Sequence, residues 1–433
     1  MTKNCADVIV VGCGPIGAYA AWKFAEQGVD VLALESKKGN QAPSHIGDFH
    51  FDRQAFDHAE IPLPPKSKII CTYPGLCIHS PNPKIHLNVE GVETWALDLN
   101  GFIRSLRTYA KSAGARISYG ARVTTVIKEN GRVTGVRAKT PRGMKEFRAP
   151  IVVDASGALG AVRRHIPSMA FSHREMAFSV YMEYWSDPDP TLDESIHSYL
   201  EHQAWTAKYP SYWIVGMGRP LPITQTKKLF AEWAKQQFKV KKKVLRRVTG
   251  TIPFAFSPPT FVDDGVLVLG DAAATNKPFN GEGIASGMHL PKLSSEHIAS
   301  AVRDGGSRSS LWEINRQYYG DIGAKFTFLR AMALETLRLT TKERSATFEL
   351  GLLTAEDLRQ TFTQYEVKRP PALWLAPLLR LARNPLLAKK FGTMIFKSTQ
   401  ITKHVRHYPS ESKFSEWAKT YRKMAAALSK SSD

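Results

Sequence analysis

Residues 7–35 read DVIVVGCGPIGAYAAWKFAEQGVDVLALE, and this stretch decides the fold. An apolar run, a glycine turn, a periodic alanine-rich segment and a second apolar run spell strand, tight turn, helix, strand. Continuous rather than alternating apolar runs suit a parallel sheet covered on both faces. Gly12, Gly14 and Gly17 match G-x-G-x-x-G. In that pattern Gly12 permits the turn, Gly14 lets a pyrophosphate approach the backbone, and Gly17 lets helix and strand pack closely. The helix N-terminus then offers free N–H groups and a partial positive charge to the phosphates. Glu35 closes the second strand, where a carboxylate hydrogen-bonds an adenosine ribose and repels a 2′-phosphate. A dinucleotide other than NADP is expected.

The choice between NAD and FAD falls to residues 266–284, VLVLGDAAATNKPFNGEGI. NAD has no use for a second acid after a second buried strand. A ribityl chain does: Asp271 is expected to accept a hydrogen bond from one of its hydroxyls. Gly281 and Gly283 let the backbone approach an isoalloxazine ring. A helix starting near Ile284 is expected to aim its positive end at the ring edge that gains charge on reduction.

At 433 residues and 43% hydrophobic content, the chain can bury large cores and divide into two or three domains. Four cysteines (Cys5, Cys13, Cys71, Cys77) make no disulfide framework. A Cys71–Cys77 pair is the alternative to reduced thiols in a cytoplasmic protein, and the thiols are preferred. No metal site is expected. The N-terminal apolar run follows no basic region and enters a glycine turn, so it reads as a strand rather than a signal peptide. No apolar segment reaches the ~20 residues of a spanning helix. The expected location is the cytoplasm, with a membrane surface as an additional site.

Further along, residues 100–112 read as a helix, Asn130-Gly131 as a hairpin turn, and FRAPIVVDASG as a buried strand ending on Asp154. From Phe171 to Pro253 short aromatic-rich strands take over, and after Gly305 the pattern is helical. The fold class is therefore α/β: a Rossmann-type FAD-binding domain (1–165 and 264–305), an antiparallel-sheet substrate domain (166–263) and a helical C-terminal region (306–433).

Three motifs stand in order: Gly12 to Gly17, Asp154-Ala-Ser-Gly157 with Arg163, and Gly270-Asp271. In this the chain resembles the flavoprotein superfamily of para-hydroxybenzoate hydroxylase. Within it, GDAAATNKPFNGEGIASGM and the tail segments LWEINRQYYGDIGAKF and HYPSESKFSEW are similar to the geranylgeranyl reductases, particularly the archaeal enzymes that saturate digeranylgeranylglycerophospholipids. The resemblance implies FAD as cofactor. It adds Ile16, Gly47, Arg104, Val123, Asp154, Gly157, Gly270 and Pro278 to the cofactor-contacting set. It places Tyr212 and Trp213, in YPSYWIVGMG, on the substrate sheet. Two departures stand out: Ile46 precedes Gly47-Asp48 where the family has a cysteine, and the Phe-Pro that ends the family's aromatic motif is absent.

The implied activity is FAD-dependent reduction of carbon–carbon double bonds in a geranylgeranyl lipid or diphosphate. An FAD monooxygenase of an aromatic or lipid substrate uses the same three motifs and remains the alternative. The electron donor is external, ferredoxin or NAD(P)H, since no second G-x-G-x-x-G occurs. Tyr181, Tyr184, Trp185, Trp205, Tyr212 and Trp213 either line an apolar tunnel or form the sheet's own core. His45, Asp48 and His50 are candidate proton donors where the cysteine is missing, or ordinary loop residues.

The formal charge is +20, unevenly spread. Residues 367–410 hold nine Lys or Arg and no Asp or Glu, interleaved with Trp374, Leu375, Leu378, Leu379 and Leu386. This reads either as an interfacial helix on anionic lipid or as a solvated face of a packed domain. A second basic run, KVKKKVLRR, spans 239–247. It is not interleaved with aromatics as a stacking surface would be, and no nucleic acid partner is expected.

Overall fold

The computed structural model describes residues 4–171, 177–186, 195–238, 243–278 and 280–429; residues 239–242 of the second basic run lie outside these. In chain order the first strands are β1 Val8–Val11, β2 Val31–Glu35, β3 Asp48–Asp52, β4 Ile69–His79, β5 His86–Asp98, β6 Arg116–Tyr119, β7 Arg122–Glu129, β8 Arg132–Thr140, β9 Gly143–Arg148 and β10 Ile151–Asp154. They continue as β11 Ala177–Trp185, β12 Ile196–Tyr199, β13 Ala204–Lys208, β14 Trp213–Arg219, β15 Val244–Pro253, β16 Val262–Asp263 and β17 Val266–Val268.

The first sheet has the order β16-β17-β10-β1-β2-β6, parallel except for the short edge strand β16. Its central strands are buried at every residue, which is why the sequence shows unbroken apolar runs there. Helix α1 (Pro15–Glu26) crosses from β1 to β2 and carries Pro15 in its first turn, where no donor is lost. β7, β8 and β9 form a separate meander. Its first turn is the expected hairpin, with Asn130 and Gly131 at φ of 49° and 81°, as a type I′ turn requires.

The second sheet runs β15-β11-β14-β13-β12-β4-β5-β3. Residues 48–98 were expected within the first unit, but their three strands belong to this larger sheet. The reason is connection length. Only six residues join β4 to β5, whereas a parallel crossover needs a dozen or more, so the pair closes as an antiparallel hairpin whose free edge meets β12. Cys71 and Cys77 lie six residues apart on one strand, about 20 Å in extended chain, so they are reduced thiols, as expected, and not a disulfide pair.

The remaining helices are α2 Arg53–His58, α3 Leu99–Ser112, α4 Ile223–Gln237, α5 His289–Arg303, α6 Arg308–Gly320, α7 Ile322–Leu337, α8 Thr341–Glu349, α9 Ala355–Gln364, α10 Ala372–Ala382, α11 Pro385–Arg406 and α12 Phe414–Ser429. The C-terminal helices are tied to the first sheet through a proline-rich segment that cannot donate its own backbone bonds. Three phenols donate to consecutive carbonyls there: Tyr421 to Ser257 at 2.8 Å, Tyr319 to Pro258, and Tyr408 to Pro259 at 2.8 Å. From α7, the buried Arg330 donates to the backbone and side-chain oxygens of Asn276 at 3.1 and 3.2 Å. The helical region thus buttresses the loop that follows β17. Among the described residues no helix is long and apolar enough to cross a membrane.

Candidate active site

Register lines the motifs up. Val11 sits opposite both Asp154 and Leu34, and Asp154 sits opposite Val268. Gly12, Glu35, Asp154 and Gly270 therefore stand in a row at the carboxyl ends of neighbouring parallel strands, where open α/β sheets bind their ligands. Ile16 packs onto Gly270 and Gly287, holding the row together.

The three fingerprint glycines separate by role. A Cβ at Gly12 would lie 2.6 Å from the Ala155 carbonyl oxygen, and one at Gly17 would lie 2.0 Å from the Gly12 carbonyl oxygen. A Cβ at Gly14 would meet nothing within 4 Å. The first two glycines serve the turn and the helix packing; the third borders open space at an uncapped helix N-terminus with no acid in its first turn. That space fits a pyrophosphate. Gly157 is likewise open, at φ 72°.

Glu35 is buried at the end of β2. Its carboxylate accepts from the Cys13 amide at 3.3 Å and the Lys37 amide at 2.9 Å, and pairs with Arg107 at 2.8 Å. The same guanidinium donates to the Cys13 carbonyl at 2.6 and 2.8 Å. Arg107, rather than the exposed Arg104, is the arginine at the Gly12–Gly17 turn. Helical periodicity carried that signal: the buried stripe of α3 runs Leu99, Phe102, Ile103, Leu106, Arg107, Ala110, and a cation on an apolar stripe needs a partner. Val123 is buried on β7, two residues beyond Ala121, whose amide donates to the Glu35 carbonyl.

Asp154 is fully occupied by its own loop. Its carboxylate accepts from the Ser156 amide and hydroxyl and from the Val162 and Arg163 amides, at 2.6–3.0 Å. Its role in the structure is to shape the segment around Gly157. The buried Arg163 stacks its guanidinium 3.9 Å from the Phe171 ring.

Asp271 is different. Its carboxylate accepts no hydrogen bond from any described residue and lies beside Gly283, where a Cβ would come within 3.1 Å of it. Burial, with the nearby Glu282 charge, pushes its pKa up to about 6. A carboxylate left without donors in such a place suits a hydroxyl-bearing ligand. The apoprotein's folded state then holds the Asp271 proton more tightly than the unfolded chain does. This group's contribution to stability is full below pH ~4 and falls away as pH rises to ~6, by on the order of 2 kcal/mol. Asp271→Asn is expected to flatten that slope in apoprotein melts taken across the window.

Beyond Asp271 the loop departs from expectation. The Glu282 carboxylate turns back to accept from the amides of Ile284 and Ala285 at 2.6 Å and Ser286 at 3.1 Å. A 3₁₀ turn at Ser286–Met288 follows, and α5 begins only at His289. The positive chain end expected to face a flavin ring is thus capped by a side chain, because Glu282 lies within reach of three donors that would otherwise be unsatisfied. Pro278 is buried, and Gly281 takes φ 72° with Ile252 close by.

β3, the strand DFHFD, faces this loop. Its alternation puts Phe49 and Phe51 against Phe102 and points Asp48, His50 and Asp52 the other way. Asp52 pairs at 2.9 Å with Lys277, which is entirely buried. Burial opposes the Lys277 charge, but Asp52 and the neighbouring Tyr365 and Glu282 outweigh it and hold its pKa above the usual value. Burial likewise raises Glu282, against the opposing pull of Lys277.

His50 contacts the Tyr209 hydroxyl at 3.2 Å, and burial pulls its pKa down to about 4. Tyr212 donates to Asp48 at 2.5 Å and stacks on Tyr209 with centroids 4.7 Å apart. Burial raises Asp48, with Tyr212 acting in the opposite sense. Burial also raises the Tyr73, Tyr209 and Tyr212 phenols. Neutral phenols, a neutral imidazole and one partly buried carboxyl form this wall. Of the three proton-donor candidates, Asp48 and His50 meet here. The exposed His45 instead contacts the Thr249 carbonyl at 2.9 Å, and its own carbonyl accepts from Arg246. Gly47 is wedged against Arg246 and bonded through its carbonyl to the Leu99 amide.

The aromatic set divides by strand parity. Tyr184, Trp205 and Tyr212 share the wall with Tyr73 and Tyr209. Trp213, Trp185 and Tyr181 lie on the opposite face, packed on Phe230, Trp233 and Phe238. Trp213 is therefore core to α4, not substrate lining, since neighbouring residues on a strand point to opposite faces.

No protein-family model matches the chain. It is 25% identical to digeranylgeranylglycerophospholipid reductase 2 of Methanopyrus kandleri over 93% of this chain and 98% of that one. Its fold matches a geranylgeranyl bacteriochlorophyll reductase-like protein of Thermoplasma acidophilum with TM-score 0.70 at 20% identity, covering 90% of this chain and 99% of that one. A p-nitrophenol 4-monooxygenase of Pseudomonas putida matches with TM-score 0.59 at 17% identity, over 90% and 97%. The chain is an oxidoreductase with the fold of the flavoenzymes, similar in sequence over nearly its whole length to digeranylgeranylglycerophospholipid reductase 2 of Methanopyrus kandleri.

Proposed function

We propose that this chain uses FAD to saturate carbon–carbon double bonds of a geranylgeranyl lipid or diphosphate, with electrons from an external donor such as ferredoxin or NAD(P)H. The observation that carries the proposal is the wall beside the cofactor row. Its aromatic groups are uncharged and it holds one partly buried carboxyl, Asp48, which suits an alkene chain with a single proton to be delivered.

Reduced FAD, when bound, supplies the hydride. The rest is the chain's own work. Gly12 to Gly17 and the α1 N-terminus would hold the pyrophosphate, Glu35 with Arg107 the ribose, and Asp271 a ribityl hydroxyl. Asp48 would hold the proton on the carboxyl oxygen that Tyr212 leaves free, and give it to the alkene carbon opposite the one that takes the hydride. Tyr209 and Tyr212 would fix the chain against the wall and exclude water. His50, neutral near pH 7, orients Tyr209 and is not the acid.

Asp48→Asn is expected to lower the saturation rate roughly 10²- to 10⁴-fold while flavin content is unchanged, as for loss of a general acid. Single-turnover assays measure this directly. The function itself is tested anaerobically: the protein is reduced, offered geranylgeranyl diphosphate, phospholipid or quinone, and the products are weighed. One added H₂ per saturated bond is expected, and no gain with any of the three would sink the reading. The monooxygenase alternative rests on the fold shared with p-nitrophenol 4-monooxygenase. It predicts hydroxylated product only when oxygen is admitted.

A lipid surface fits the same reading. On α10 and the start of α11, Leu373, Leu375, Leu379 and Leu386 are 62–65% exposed, and Ile395 and Phe396 extend the patch. Along the sequence, residues 367–410 hold nine basic residues and no acid; Arg369, Lys390 and Lys397 are paired with Asp357, Glu343 and Glu335, and Arg380, Arg383 and Lys389 lie on or beside the same helices as the leucines. Insertion of leucines contributes roughly 1.5–3 kcal/mol each when fully buried, and each basic residue about 1 kcal/mol at an anionic surface. Leu375→Asp with Leu379→Asp is expected to reduce sedimentation with phosphatidylglycerol vesicles at least tenfold, with an unchanged melting temperature.

A further inference from the structure

On the sheet face that carries α4, three donor side chains meet at the β4–β12 seam. Cys77 and His79 come from β4, two residues apart and so on one face. His197 stands directly opposite Cys77 on β12, in parallel register. His79 Nε2 lies 3.0 Å from His197 Nδ1, and Cys77 Sγ lies 3.5 Å from His79 Nε2. All three donor atoms fall within 4.8 Å of one another. A tetrahedral zinc with ordinary bond lengths spaces two nitrogen ligands about 3.3 Å apart and a nitrogen and a sulfur about 3.6 Å apart. The three side chains therefore already stand close to the spacing of a shared ion. Cys77 and His197 are buried, at 4% and 6% exposure, while His79 is partly open. The His79 ring is clamped by Tyr199, stacked at 4.4 Å, and Tyr199 is braced by Trp233 of α4. His86 pairs with His79 across β4–β5, its ring 6.0 Å away and exposed, so a fourth imidazole or a water has a place.

We infer that Cys77, His79 and His197 bind a zinc-class divalent cation that staples the two halves of the large sheet. β12–β4 is the seam between strands of 48–98 and strands of 177–253, and its register extends over only four residues. It is also the parallel pair in a sheet whose other recorded pairings are antiparallel. A cross-link between residues 118 positions apart restrains the unfolded chain and ties together two strands held by a short ladder. The ion would take a Cys77 thiolate and two neutral imidazoles, releasing the thiol proton to solvent, so binding weakens as pH falls. The site stands about 20 Å along β4 from Cys71 at the aromatic wall, which assigns it to the architecture and not to the reaction.

Untagged full-length protein, purified without chelator, is the material for the test. Elemental analysis is expected to find about one zinc per chain, and removing it with a chelator to lower the melting temperature, restored by zinc alone. Exchange with cobalt is expected to give, in the difference spectrum, a thiolate-to-cobalt charge-transfer band. Cys77→Ala should lose that band, and His197→Ala should weaken cobalt binding at least tenfold, both with the circular dichroism of the folded chain. Metal-free protein that shows no cobalt band on titration overturns the inference, as does a band that survives in Cys77→Ala. If either variant fails to fold, the wild-type chelation and cobalt results decide alone.

Discussion

Gly14→Val is expected to yield a folded protein that has lost its flavin, with affinity reduced at least about 100-fold, near 3 kcal/mol. Gly14 has an ordinary extended backbone, φ −72° and ψ −165°, and open space where a Cβ would stand. The apoprotein therefore has room for the isopropyl group. The pyrophosphate would not, because the helix N-terminus binds it only at the close approach a bare backbone allows. Gly17→Ala is the counterpart. Its Cβ would overlap the Gly12 carbonyl oxygen at 2.0 Å, so the chain itself is destabilised, by about 1–3 kcal/mol or more. Flavin content per folded chain and apoprotein melting temperature separate the two. If Gly14→Val retains flavin at wild-type affinity, the phosphates do not lie at this turn.

Lys277→Met is expected to cost about 3–5 kcal/mol of stability, the usual penalty for leaving buried charges without their partner. Lys277 is wholly buried, 2.9 Å from Asp52, and near the partly exposed Glu282, whose charge acts on it. Methionine fills similar volume, so the loss reports charge rather than a cavity. The penalty should shrink as pH falls, since the orphaned carboxylates can then take up protons. Asp52→Asn in the Lys277→Met background should recover part of it. Chemical denaturation at two pH values measures all three, and a loss under ~1 kcal/mol would mean the ammonium is not what holds β3 to the loop.

Local chemistry made much of the cofactor row legible. Gly12, Gly17 and Glu35 are brought together at the β1–α1 turn by turn sterics and strand ends that one short stretch specifies. The placing of Asp271 at the end of β17, beside Gly283, was readable for a related reason: a buried strand followed by glycines marks a strand end and a turn. Arg104 is exposed, whereas Arg107, which the apolar stripe of α3 singles out, is the arginine that reaches Glu35. Trp213 was misplaced because which face of a strand meets the cofactor depends on the partner strands. The Glu282 cap depends on how a side chain folds back on its own loop, which spacing alone does not reveal.

By itself the sequence determined the parallel sheet, its glycine turn and the order of its motifs, since each follows from interactions between near neighbours. Only the tertiary structure decided the rest. It drew residues 48–98 into the large sheet, set Asp48 against Tyr212 164 positions away, and buried Lys277 beside Asp52 across 225. It also brought His197 to Cys77 and His79. Such contacts are set by strand pairing and helix docking, where the free energy comes from burying whole faces and the residues that meet are those the register brings together.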